Sequence, residues 1–324
     1  MCTGANYTTK DHYFGRNLDL EFSYDETVTI TPRNFAFAFR KVPELATHHA
    51  MIGMATISDG YPLYYDGTNE KGLSMAGLNF AGNTDYKPED TAKTNITPFE
   101  FIPWILGKFE TVDQVKAELR AFNLVNIPFS PAFPLSPLHW IISDRTQSIT
   151  VESVREGLKV YDNPVGVLTN NPPFDIQLFN LNNYMQLSRN PPEQNFSDAL
   201  SFDVYSRGMG AIGLPGDLSS ASRFVKAAFT MLNSESGDSE SESISQFFQI
   251  LGSVAQQRGC VDVGDGKYEI TIYSSCCNTD KGIYYYTTYE NSQITGVDMH
   301  RENLDGSTLA AYPLIKGQQV RMEN

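Results

Sequence analysis

The sequence predicts an α+β protein in stacked layers, with antiparallel sheets covered by separate groups of helices. Strand-like runs arrive in long blocks, and helical patterns are grouped between those blocks instead of alternating with each strand. The apolar content supports a large core: of 324 residues 41% are hydrophobic, including 20 Phe and 17 Tyr. The length allows two domains, but no repeat and no convincing boundary interrupts the chain. Residues 1–324 are therefore expected to form one domain.

Residues 3–7 and 12–17 read as a hairpin around the polar turn Thr8-Thr9-Lys10-Asp11. Strands follow at 27–31, at 35–40, where Phe35, Phe37 and Phe39 alternate with Ala36 and Ala38, and at 51–57. Runs at 61–65 and 72–80 flank Asp66-Gly67, a turn signal. The first 80 residues thus read as one continuous antiparallel sheet. Thr97-Pro98-Phe99-Glu100 is a capping box that opens a helix ending at Gly107. Thr111 opens a second helix, with Val112, Val115 and Leu119 on one stripe. Residues 127–138, IPFSPAFPLSPL, are apolar and proline-punctuated with neither period, as expected of a loop lining a pocket or an interface.

Strands resume at 138–143, 148–154 and 158–161 and lead into Leu168-Thr169-Asn170-Asn171-Pro172-Pro173. Helix is expected over 174–187, then a long loop over 188–218, a length that usually serves a function. A helix over 219–232 carries Arg223 on its first turn. The acidic run SESGDSESES at 234–243 reads as a solvated linker, and 244–255 as helix. Runs at 269–275 and 282–290 form a tyrosine-rich hairpin that finishes the sheet.

The net charge is −14, from 24 basic and 38 acidic side chains, and the pI is near 4.8. No basic footprint is present for phosphates, so nucleic-acid binding is excluded, as is simple adhesion to an anionic membrane. A small anionic substrate remains compatible, because one buried arginine outweighs a remote field screened within about 10 Å. Four cysteines are too few for a disulfide framework. Cys276 and Cys277 alternate faces of one strand and read as buried thiols. With no signal peptide and no run approaching 18 apolar residues, a cytoplasmic protein with reduced thiols and no membrane association is expected. The five histidines lack metal spacing, and Gly208–Gly216 lacks a nucleotide pattern, so neither metal nor cofactor is expected.

The chemistry points to the N-terminus, MCTGANYTTKDHYFGRNLD. Removal of Met1 would leave Cys2 carrying both a thiol and a free α-amine, a nucleophile with its own base. The return strand would bring Arg16 and Asp19 beside it, the arginine favouring thiolate and the carboxylate orienting the amine. Read alone, a second-position cysteine and an Arg-x-x-Asp spacing also suit an ordinary N-terminus.

MCTG followed by YFGRNLDLEFSY resembles the start of the choloylglycine hydrolase family, which includes bile salt hydrolases and penicillin V acylases. The likeness continues through NEKGLSMAGLNF (69–80), PLHWIISD (137–144), GVLTNNPPFD (166–175), GLPGDLSSASRF (213–224) and KGIYYYTTYENSQI (281–294). It implies a four-layer αββα sandwich of the N-terminal nucleophile type, with two facing antiparallel sheets. It implies Cys2 as nucleophile, Arg16 and Asp19 as its partners, Asn79 and Asn170 as oxyanion and positioning residues, and Arg223 as a charge stabiliser. Without the flanking blocks, turn chemistry is the preferred reading of Asn79 and Asn170. The resemblance places Leu18, Tyr65, Phe129 and Phe133 in the substrate pocket and requires no cofactor. It implies hydrolysis of glycine- or taurine-conjugated bile acids, with penicillin V acylase or amine acyl transfer as alternatives. A tyrosine is typical of the penicillin V acylase branch where this chain has Asn79, which favours bile salts. A homotetramer is implied in which the 188–218 loop reaches a neighbouring subunit. A non-catalytic steroid binder is the alternative of another class.

Overall fold

The computed structural model describes residues 1–324. The N-terminal hairpin forms as predicted: β1 (Cys2–Thr8) and β2 (His12–Leu20) pair from Cys2↔Leu18 to Thr8↔His12. Next come β3 (Thr27–Thr31), β4 (Met51–Ser58), β5 (Tyr61–Asn69) and β6 (Ser74–Asn79), each paired antiparallel with the next. These four do not extend the hairpin's sheet, which corrects the expectation of one sheet over the first 80 residues. Five exposed residues, 21–25, carry the chain across to a second sheet.

The short strands β7 (Thr94–Ile96) and β8 (Phe122–Leu124) bracket α1 (Phe101–Lys108) and α2 (Val112–Glu118). Thr111 caps α2, its hydroxyl accepting the Gln114 N–H. Then come β9 (Leu138–Ser143), β10 (Ser148–Val154), β11 (Gly157–Asp162), β12 (Val167–Leu168) and α3 (Phe174–Asn180). The long helices are α4 (Ser220–Asn233) and α5 (Glu240–Gly252). The chain ends with β13 (Asp262–Gly264), β14 (Lys267–Tyr268), β15 (Ile270–Asn278), β16 (Ile283–Thr288), β17 (Asn291–Asp298) and β18 (Ala310–Pro313).

Two antiparallel sheets result: β12-β1-β2-β15-β16-β17, and β11-β10-β9-β6-β5-β4-β3-β18. One core of 36 buried residues joins facing side chains of both sheets, such as Phe14, Leu78 and Ile141, to Phe224 of α4 and Phe247 of α5. A second of 21 packs the outer face of the larger sheet against Trp104 of α1 and Val115 of α2. The order is therefore helix, sheet, sheet, helix, the predicted four layers.

Several local expectations are corrected. Residues 35–40 keep their alternation, with Phe37 fully buried between Phe35 and Phe39, but their strand pairing is reduced to a single bridge, Phe37↔Leu45. Asp66-Gly67 lies inside β5, and the two-residue turn is Asp59-Gly60, both at positive φ (51° and 76°). Helix after Phe174 ends at Asn180 and tightens into a 3₁₀ turn. The acidic run is no mere linker: Ser239 and Glu242 form a capping box that starts α5. Glu240 there accepts from Asn278, Lys281 and Tyr285 at the β15–β16 turn. β17 and β18 extend past the hairpin expected to finish the sheet.

At the hairpin end remote from Cys2, His12 is 2% exposed, with Nδ1 2.7 Å from Thr8 Oγ1 and Nε2 3.3 Å from Ser143 Oγ. Burial lowers its pKa from 6.5 to about 4, with Asp280 opposing the shift. On acidification the unfolded chain binds this proton first. The contribution is therefore complete above pH 6.5 and is lost as pH falls toward 4, by about 3 kcal/mol in all. His12→Gln is expected to flatten that slope, measured as urea midpoints near neutrality and near pH 4.

Candidate active site

The hairpin sorts the candidate residues onto two faces. Directly paired residues share a face, so Cys2, Leu18, Gly4 and Arg16 point one way, and Thr3, Asn17 and Asp19 the other. The first face meets the larger sheet: a Cβ on Gly4 would lie 3.1 Å from Ile141. The second meets the helices, where Asn17 Nδ2 donates to Leu251 O of α5 at 2.9 Å.

On the inter-sheet face, Arg16 Nη2 donates to Cys2 Sγ at 2.6 Å, and both residues are buried. Nη1 donates to the carbonyls of Tyr65, at 3.0 Å, and Gly77, and Nε to that of Asn17. Burial pulls this guanidinium's pKa down, but the acidic groups around it, Cys2 first and then Asp66 and Asp19, outweigh burial and leave it above the ordinary value.

The helix side grips the Cys2 backbone. Arg223, fixed on the first turn of α4 with Ser219 as cap, donates from Nη1 to Cys2 O at 2.7 Å and Thr3 Oγ1 at 2.6 Å. Its Nη2 donates to Asn170 Oδ1 at 2.7 Å, the same oxygen that accepts the Cys2 N–H at 2.9 Å. Asn170 Nδ2 donates to Asn79 O at 2.7 Å. The Asn79 side chain is exposed and makes no internal hydrogen bond, so it is a free donor at the rim.

Asp19 lies on the helix face, not on the sulfur side. Its Oδ2 is 3.9 Å from Arg223 Nη1, and Oδ1 accepts from Thr271 at 2.6 Å. Burial pushes its carboxyl above the usual range, against the pull of Arg223 and the nearby N-terminal amine. Met1, half-buried, has its amine on Asp19 O at 2.8 Å and on the Glu269 carboxylate.

The pocket candidates divide. Leu18 stands opposite Cys2, and Tyr65 packs on the same core, its hydroxyl 3.0 Å from Thr56 Oγ1. Phe129 and Phe133, on the 127–138 loop, pair instead with each other, and Phe129 also packs on Tyr61 and Phe99. Sequence reading missed three supports. Thr271 orients Asp19, Ser220 Oγ accepts the Asn170 N–H at 2.8 Å, and Gln177 Nε2 donates to Asn170 O at 2.6 Å. Only Ser220 lay within a recognised block, SSASRF. No group of three or more His, Cys, Asp or Glu side chains stands together to hold a metal ion. A polar cavity of about 630 Å³ opens at the other hairpin end, lined by residues including Thr8, His12 and Arg145, and does not include Cys2.

Residues 2–312 match the model of the linear amide C–N hydrolases, choloylglycine hydrolase family. The chain belongs to the choloylglycine hydrolase family. It is 62% identical over all 324 residues, and the full length of both chains, to bile salt hydrolase/transferase from Lactiplantibacillus plantarum. A crystal structure of a cysteine-to-alanine mutant of conjugated bile acid hydrolase from Clostridium perfringens matches at TM-score 0.92 and 44% identity, covering all of both chains. Penicillin V acylase from Agrobacterium tumefaciens shares the fold at TM-score 0.76 and 19% identity, over 98% of this chain and 94% of that one. As a choloylglycine hydrolase family member the chain is an enzyme, an amidase for linear C–N bonds, as the sequence blocks implied. No helix is long and apolar enough to cross a membrane.

Proposed function

We propose that the chain hydrolyses conjugated bile acids at the amide joining the steroid acid to glycine or taurine, with Cys2 as nucleophile. The observation that carries the mechanism is the Arg16 guanidinium on the Cys2 sulfur, inside a hairpin that presents residue 2 to the inter-sheet seam. The substrate class comes from the names of the full-length relatives.

Once Met1 is gone, the α-amine takes the thiol proton and sulfur attacks the amide carbon. The oxyanion is met by Asn79 and Asn170, while Arg16 and Arg223 hold positive charge nearby. The resulting ammonium gives its proton to the departing nitrogen, the C–N bond breaks, and the free amino acid leaves a thioester on Cys2. Water then gives a proton to the amine and attacks the thioester. Expulsion of sulfur, which recovers that proton, frees the bile acid.

Turnover of glycocholate and taurocholate is expected to exceed that of penicillin V, measured as amine release against side-chain acid release. Penicillin V cleaved far faster than either bile salt would move the assignment to penicillin V acylase. Bile salt binding that survives Cys2→Ala, with no turnover in the parent, would favour the non-catalytic binder.

The same reading takes residues 1–324 as one domain, supported by a core that draws on both sheets. It takes the protein as cytoplasmic, consistent with four free cysteines. It makes the 188–218 loop an assembly element, since Phe196, Phe202, Val204, Tyr205 and Ile212 are exposed there. Sedimentation is expected to give a homotetramer, and a fully active monomer at micromolar concentration would contradict this.

A further inference from the structure

Asp66 departs from the local rules of its sequence. An Asp-Gly pair normally turns the chain, yet this one runs through β5, and the carboxylate is 1% exposed between the sheets. Its Oδ1 accepts from Tyr284 and its Oδ2 from Tyr273, each at 2.7 Å, and both tyrosines belong to the facing sheet. β5 carries a bulge at this point. Met54 opposes Asp66 and Ala55 opposes Tyr64, which leaves Tyr65 as the extra residue. The Tyr65 carbonyl is thereby free to accept Arg16 Nη1. Gly53 on β4 makes room, since a Cβ there would lie 2.1 Å from Asp66 O.

Arg16 is wholly buried, and its direct partners are three carbonyls and the Cys2 sulfur, with no carboxylate among them. A buried cation needs countercharge in its surroundings. Asp19 lies on the helix face and is shared with Arg223. Asp66 is the carboxylate that acts on Arg16 from the inter-sheet side. We propose that Asp66 is a positioning residue for the hydrolysis. It pins the bulged Tyr65 carbonyl against Arg16 and sets how much of the Arg16 charge is left for sulfur.

The proposal rests on Cys2 as nucleophile. The groups facing Asp66 are Arg16 from β2, the Met54 N–H from β4, Tyr273 and Cys277 from β15, and Tyr284 from β16. Burial pushes its carboxyl up and Arg16 pulls it back. Around sulfur stand Arg16, with Asp19 and Arg223 behind it. Removing the Asp66 charge leaves the Arg16 field less compensated, which favours a thiolate that forms more readily but attacks more weakly.

The test follows iodoacetamide alkylation of the Cys2 peptide across pH in a Cys260→Ser background. Asp66→Asn is expected to displace the profile toward acid by about one pH unit, the order set by one charge several ångströms away in a protein interior. The limiting rate at high pH is expected to fall about threefold, since nucleophilicity declines with basicity. Tyr284→Phe, which deletes one hydrogen bond but keeps the charge, is expected to leave the profile in place. The triple variant Asp66→Leu, Tyr273→Phe, Tyr284→Phe removes the charge without orphaning a hydroxyl and is expected to shift the profile as Asp66→Asn does. An unmoved profile in either charge-free variant overturns the proposal, as does an equal shift in Tyr284→Phe. Failure of both charge-free variants to fold overturns it too, and assigns the network to stability alone. Failure of the Cys2 reading looks different: the parent would keep its turnover with Cys2 fully alkylated.

Discussion

Protein that retains Met1 is expected to turn over about 10²–10⁴-fold more slowly than protein beginning at Cys2, while folding equally well. With Met1 in place the Cys2 nitrogen is an amide that donates to Asn170 Oδ1 at 2.9 Å. An amide neither accepts the thiol proton nor passes one to a leaving amine. The only amine nearby is that of Met1 itself, held by the Asp19 carbonyl and the Glu269 carboxylate. Arg16 still touches sulfur, so the thiol keeps its charge partner and loses its base. A removable extension whose cleavage exposes Cys2 gives the clean comparison, with intact mass read beside specific activity. Full activity with Met1 quantitatively present would refute the α-amine as base.

Asn170→Ala is expected to lose about 10²–10³-fold in kcat, the scale of one oxyanion-hole donor, with a smaller effect on KM. The side chain serves three groups at once: the Cys2 N–H, Arg223 Nη2 and the Asn79 carbonyl. Its loss unties the nucleophile's backbone from the arginine that also holds Cys2 O. An asparagine that merely favours a strand end would register in melting temperature instead. Steady-state kinetics beside thermal melts separate the two, and a lowered Tm with unchanged kcat would make Asn170 a turn residue.

How far the sequence could be read depended on whether the deciding interaction was local. The β1–β2 hairpin is specified by its alternation and by four polar turn residues, and it formed as expected. Sheet membership is not local: β2 takes β15, some 250 residues on, as its second neighbour. Phe35, Phe37 and Phe39 alternate as a strand does, but alternation reports burial and not a hydrogen-bond partner. The Asp-Gly signal was real at Asp59-Gly60 and misleading at Asp66-Gly67, where two tyrosines from the opposite sheet supply what a turn would otherwise give. Within the site, Cys2, Arg16, Asn170 and Arg223 stand in hydrogen-bond contact, though they lie far apart in sequence. Asp19 falls on the far face because a strand turns successive residues apart. Thr271 and Gln177 carry no pattern at all, since a lone polar residue in a strand or helix looks the same whether or not it meets a partner.

The sulfur belongs to one sheet, whereas two of the carbonyls that fix its arginine belong to the other. Neither layer contains the reactive centre by itself, so it exists only as a relation between them, like the alignment of two gauge blocks. Drift between the sheets loosens the hydrophobic seam and at the same time draws the Tyr65 and Gly77 carbonyls away from Arg16. Substitutions remote from Cys2 that alter the thickness of the seam are therefore expected to lower activity together with the melting temperature. Replacements on the outward faces of α1 and α2, which lie beyond the larger sheet, leave that interior distance untouched.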